Sequence, residues 1–134
     1  MISINELRPG DQLERVVLDP VSRMDLIKYS GASGDFNPIH TIDEEAKKAG
    51  LPGIIAHGMW TMGNLAKLFT AYYEEGFIQD YTIRFSNMVF LNDVLTLEAE
   101  TKEVTDDYVA FDVRAVKQDG KTVIKGAVTF KKYG

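Results

Sequence analysis

A chain of 134 residues with 45% hydrophobic content is long enough for its own core, and residues 1–134 are expected to form a single domain. A formal charge of −5 without any basic stripe argues against nucleic acid as a partner, and the absence of Cys excludes disulfides and a thiolate nucleophile. No stretch reaches the ~18 apolar residues of a membrane span, and Met1-Ile2-Ser3-Ile4-Asn5-Glu6 has no signal-peptide character, so a cytoplasmic protein without membrane partners is expected.

Gln12 to Leu18 reads as a short strand, closed by Asp19-Pro20. Ser22-Arg23-Met24-Asp25 is a capping-box variant that starts a helix, with Met24, Ile27 and Tyr29 expected on its buried side and Gly31 at its C-terminal cap. In the next segment Asp35 and His40 lie five residues apart with Asn37-Pro38 between them. On a continuous helix such a pair would face roughly 140° apart. Pro38 removes a backbone donor and pushes Asn37 out of the helical region, so a loop is expected, and a loop can turn both side chains toward one point. A short helix follows from Thr41 or Asp43, with acids in its first turn and Lys47 and Lys48 in its last, ended by Gly50.

The main helix is expected from about His57 to Glu75. Met59, Trp60, Met62, Leu65, Ala66, Leu68, Phe69, Tyr72 and Tyr73 make it apolar nearly all round, which predicts burial on most sides. Then the period changes from 3.6 to 2. Tyr81 to Leu91 is β-rich, Asn92-Asp93 is a turn, and Leu95-Leu97-Ala99, Val109-Phe111-Val113-Ala115 and Ile124-Gly126-Val128-Phe130 alternate with their neighbours. Asp119-Gly120 signals a hairpin. The class is α+β, an antiparallel sheet of four or five strands wrapped around one long central helix.

A carboxylate and an imidazole on one loop are tools for activating water or moving a proton. Ala56-His57-Gly58-Met59 opens the main helix, whose first N–H groups have no internal partner and whose dipole favours negative charge. Gly58, lacking a Cβ, suits close approach of a substrate. Asn37 is expected to pin the loop through side-chain hydrogen bonds. Other readings stand beside these. Asp35 next to Gly34 fits an ordinary turn residue, His40 a neighbour of the following helix, and His57 a structural role. Two His, no Cys and no closing ligand spacing give no reason to expect a metal.

The stretch from Tyr29 to His40, ending Asp35-Phe36-Asn37-Pro38-Ile39-His40, together with Gly53-Ile54-Ile55-Ala56-His57-Gly58-Met59, resembles the MaoC-like dehydratases, hot-dog-fold proteins that include (R)-specific enoyl-CoA hydratases. The resemblance implies a hot-dog fold and reversible hydration of trans-2-enoyl thioesters to (R)-3-hydroxyacyl thioesters. It also implies that Asp35 and His40 hold the catalytic water and that the Gly58 N–H receives the thioester oxygen. Asn37, His57 and Met59 complete the expected substrate-binding set, and no cofactor is implied. The thioester carrier is coenzyme A or acyl carrier protein, and Lys47, Lys48, Arg84, Lys131 and Lys132 are the cations on offer for its phosphates. Trp60 stands where a smaller aliphatic residue is expected. A homodimer paired edge to edge is implied, with a heterodimer as the alternative. Two other functions remain open on the same fold: an acyl-thioester hydrolase, disfavoured because the helix carries no acid before Glu74 and Glu75, and an acyl-binding or partner subunit of a heteromeric dehydratase.

Overall fold

The computed structural model describes residues 3–134; the expectation that rests on Met1 and Ile2 lies outside them. From Gly10 to Leu18 the chain runs along the edge of the sheet, but regular pairing is confined to β1, Val16–Val17. The rest of the strand expected over Gln12 to Leu18 is an intermittent ladder, in which Leu13 and Gly10 donate to the carbonyls of Ala99 and Thr101.

Helix α1 spans Arg23–Ser33 and starts as expected, with reciprocal bonds between Ser22 and Asp25. It runs through Gly31 and ends at Gly34, which adopts φ 77° and donates its N–H to Ser30 O at 3.0 Å. That left-handed conformation is one a glycine reaches without steric cost, so Gly34 rather than Gly31 is the cap. The buried side also differs from expectation: Leu26 and Ser30 face the interior, four residues apart, whereas Met24 and Ile27 are exposed. A 3-10 turn at Pro38–His40 and helix α2, Asp43–Lys48, follow. The Arg23 guanidinium donates to Thr41 O and Asp43 Oδ2 and so ties α1 to the start of α2.

The main helix is in two parts, α3 over Gly58–Leu65 and a 3-10 stretch over Ala66–Tyr72. Tyr81 donates its hydroxyl to Met62 O at 2.5 Å, the carbonyl that an α-helix would offer to the Ala66 N–H, and the geometry tightens from that residue onward. Burial is a stripe rather than a full wrap. Thr61, Leu65, Leu68, Phe69 and Tyr72 are buried, while Met59 and Tyr73 are exposed and Trp60 and Met62 only partly covered.

Four long strands complete the sheet: β2 Gly76–Phe85, β3 Leu95–Val104, β4 Tyr108–Lys117 and β5 Thr122–Lys132. Their order is β1-β3-β4-β5-β2, antiparallel throughout. The strand expected over Tyr81 to Leu91 begins earlier, at Gly76, and stops at Phe85, because pairing with β5 runs from Gly76 opposite Lys132 to Phe85 opposite Ile124. The inward residues of β3 and β4 meet Phe69 of the central helix, which packs edge-on against Phe111 at 5.0 Å between ring centres. At the turn before β3, burial pushes the Asp93 carboxyl up, but hydrogen bonds from Gln118, the Phe90 N–H and Lys117 outweigh it and hold it below the usual range. A hot-dog architecture results, with the sheet curved around a central helix whose N-terminus and the preceding loop lie at one end.

Candidate active site

Three chain segments build the site: the C-terminus of α1, the loop from Asp35 to His40, and the start of α3. The loop is shaped by its own side chains. Asp35 Oδ1 accepts from the Asn37 N–H at 3.2 Å, and Asn37 Oδ1 accepts from the Ile39 N–H at 3.2 Å. Asn37 therefore pins the loop, as expected. Asp35 is a turn residue and a loop carboxylate at once, since its second oxygen remains free of the turn.

That oxygen, Oδ2, lies 4.0 Å from His40 Nε2. His40 is buried, and its Nδ1 lies 2.7 Å from Ile55 O. A carbonyl can only accept, so Nδ1 carries a proton, and in the neutral form of the ring Nε2 turns its lone pair toward the carboxylate. Two acceptors then face each other across a gap too long for a direct hydrogen bond. A water donating one bond of about 2.8 Å to each would span about 4.0–4.4 Å, which matches.

His57 lies beneath this pair and is 2% exposed. Its ring stacks on that of His40, with centres 3.8 Å apart and planes 23° from parallel, and meets Tyr29 edge-on at 4.8 Å. Nε2 of His57 is 3.2 Å from both Asp35 O and Ser30 Oγ. The Asp35 carbonyl fixes the proton on that nitrogen, and Nδ1 is left buried with no partner among the described residues. Burial pushes the His57 pKa down, the bond to Asp35 O works against this, and the net shift is downward. His57 is thus a neutral donor that holds the loop's backbone, which supports the structural reading of this residue.

Asp35, His40 and His57 bring potential metal ligands within 4.8 Å of one another. Imidazole lone pairs lie in the ring plane, so two stacked rings aim theirs side by side rather than at a common ion. His40 Nδ1 and His57 Nε2 are moreover spent on carbonyls. The arrangement suits proton transfer better than chelation.

Asp35, His57, Gly58 and Met59 line one cavity of about 410 Å³, joined by Tyr29, Ser33 and Phe85. Gly58 is the first residue of α3, so helix geometry leaves its N–H without an intrahelical acceptor. Met59 is 57% exposed at the rim. His40 and Asn37 do not line this cavity: buried His40 faces the Asp35 carboxylate that does, and exposed Asn37 shapes the loop. Ser30 and Phe85 are the residues that sequence reasoning missed. A polar residue on the inward side of α1 was a signal for Ser30, whereas nothing marks Phe85 within its β-rich run. Of the basic residues, Lys131 pairs with Asp107, Lys132 donates to Thr105 O and Lys48 pairs with Glu45. No ion pair forms at Lys47 or Arg84 among the described residues.

Residues 5–129 match the family model described as a MaoC like domain. The chain is 35% identical over 94 residues to the peroxisomal hydratase-dehydrogenase-epimerase of Saccharomyces cerevisiae, covering 63% of this chain but 10% of that protein. It is 27% identical over 109 residues to the mitochondrial 3-hydroxyacyl-(acyl-carrier-protein) dehydratase FERN of Solanum lycopersicum, covering 78% of this chain and 66% of that protein. Among solved structures, the unliganded R-hydratase PhaJ1 from Pseudomonas aeruginosa superposes with a TM-score of 0.85 at 28% identity, over 95% of this chain and 83% of that one. Sequence and fold agree, and the chain belongs to the MaoC-like dehydratase family.

Proposed function

We propose that this protein hydrates trans-2-enoyl thioesters of coenzyme A or acyl carrier protein, reversibly, to (R)-3-hydroxyacyl thioesters. The observation that carries the proposal is the 4.0 Å gap between Asp35 Oδ2 and His40 Nε2, because with the imidazole neutral it offers a water two acceptors. In the hydration direction, Asp35 takes a proton from that water as its oxygen bonds to C3. The C2–C3 π electrons move toward the thioester oxygen, which the Gly58 N–H receives at the positive end of α3. The enolate then collapses as C2 takes a proton relayed through the Asp35–His40 pair, leaving the site as it began. Dehydration is the same path reversed.

Hydrolysis of the thioester is a weaker reading. It calls for an acid on the central helix, which has none before Glu74 and Glu75 beyond its far end, and Glu75 accepts from the Ile4 N–H at 3.1 Å and from Ser3 Oγ. The single domain over residues 1–134 is proposed to act as a homodimer, with a heterodimer as the alternative. Two features favour an added copy: β2 pairs only with β5 among the described residues, and the outer side of α3 leaves Met59, Trp60 and Met62 incompletely covered. Light scattering on the purified protein is expected to give twice the 15.0 kDa chain mass; a monomer would remove that part of the proposal.

The hydratase reading is tested by following the enoyl-thioester absorbance of crotonyl-CoA together with free-thiol release. Loss of absorbance without thiol release, giving (R)-3-hydroxybutyryl-CoA, is the expected result. Thiol release in step with the absorbance change would replace hydration with hydrolysis.

A further inference from the structure

Beside the cavity that holds Asp35 lies a second, smaller chamber of about 150 Å³. Its walls are chiefly apolar, Ile55, Ala56, Met88, Val89 and Val123, with Thr61 and Asn87 as the polar members. Two residues belong to both spaces, Gly58 and Phe85. The Phe85 ring rests against the Gly58 backbone, where a Cβ on residue 58 would lie 2.9 Å from the ring edge. The room left by the missing Cβ is therefore filled by an aromatic ring from the end of β2. We propose that Phe85 is a shutter between the two spaces, and that its position sets the length of acyl chain the site accepts.

The proposal rests on the hydratase reading and extends it to substrate choice. A thioester oxygen on the Gly58 N–H puts the acyl chain beside the residue that forms the common wall. The first few carbons fit the cavity where Asp35 and His57 stand. A longer chain has to leave that space, and the apolar chamber is the neighbouring volume able to take hydrocarbon out of water. The ring closes that route. Phe85 is the last residue of its strand and 53% exposed in the single chain, so rotation about its side-chain bonds is the movement that opens the route. Closed, it restricts the site to short acyl groups.

The test compares kcat/KM for crotonyl-CoA and trans-2-octenoyl-CoA on wild type, Phe85→Leu and Phe85→Ala, with thermal melts to confirm folding. Wild type is expected to favour crotonyl-CoA. The octenoyl-to-crotonyl ratio should rise at least about tenfold in Phe85→Ala, the scale on which apolar pockets discriminate chain length, with Phe85→Leu between. Equilibrium binding of octanoyl-CoA against butyryl-CoA, both unreactive in hydration, should shift in the same order. A ratio unchanged by Phe85→Ala in both turnover and binding, or a wild type that already prefers octenoyl-CoA, overturns the shutter. A wild type that hydrates no enoyl thioester overturns the hydratase reading instead, and the binding ratios then still decide whether Phe85 controls access to the chamber.

Discussion

Asp35→Asn is expected to lower hydration turnover by roughly 10²–10⁴, the range typical of losing a positioned general base, while leaving the fold intact. The substitution is nearly isosteric. Its amide oxygen still accepts from the Asn37 N–H, so the turn that shapes the loop survives. Asp35 is half exposed and outside the core, so little packing changes. What changes is the group facing His40. Where Oδ2 offered a lone pair, the variant presents an N–H₂, a donor where the water needs an acceptor. Such a site binds a water less well and has no carboxylate to take its proton. Turnover of crotonyl-CoA and thermal melts on the same preparations check this; near-wild-type turnover by the variant would remove Asp35 from the mechanism.

His57→Ala is expected to cost about 2–4 kcal/mol of stability and to affect the chemistry of the surviving folded protein less, by under about tenfold. The ring is fully enclosed between His40, Tyr29 and the loop. Its removal leaves a cavity beneath His40 and takes away the donor shared by Ser30 Oγ and Asp35 O. A pH signature accompanies the loss. Because burial lowers the folded-state pKa of His57, the unfolded chain takes up a proton there before the folded one does. Wild-type stability should therefore fall as pH drops below about 6.5, and that part of the decline should flatten in His57→Ala. Denaturant melts between neutral and mildly acidic pH, run beside specific activity, check both parts. A folded variant with turnover as low as that of Asp35→Asn would give His57 a direct part in the reaction.

The local signals in the sequence carried well into the structure. The Ser22–Asp25 box, the Asn37-Pro38 loop, α2 with its ordered charges, the period-2 strands and the hairpin at Asp119-Gly120 each depend on neighbours within a few residues, so each was legible. The differences arise where distant parts of the chain decide the outcome. Tyr81, 19 residues from Met62, takes the carbonyl at the point where α3 becomes 3-10. Pairing with β5 sets the limits of β2, moving its start to Gly76. In α1, Met24 and Ile27 have the character of core residues, yet Leu26 and Ser30 are the pair that faces inward, and Ser30 is there to meet His57, 27 residues on. For the candidate site, residue types and spacing showed which groups could converge. The His40 tautomer, the stacked imidazoles and the Phe85 ring on Gly58 are contacts between segments, and spacing along one chain does not encode them.

Incubating the wild-type protein with crotonyl-CoA in heavy-oxygen water, followed by mass spectrometry of the thioester and any free acid, tests the central claim most directly. A water held between Asp35 and His40 delivers its oxygen to C3, so the label should appear in a 3-hydroxybutyryl group still joined to coenzyme A. Label in a free carboxylate, with the double bond intact, would contradict the account.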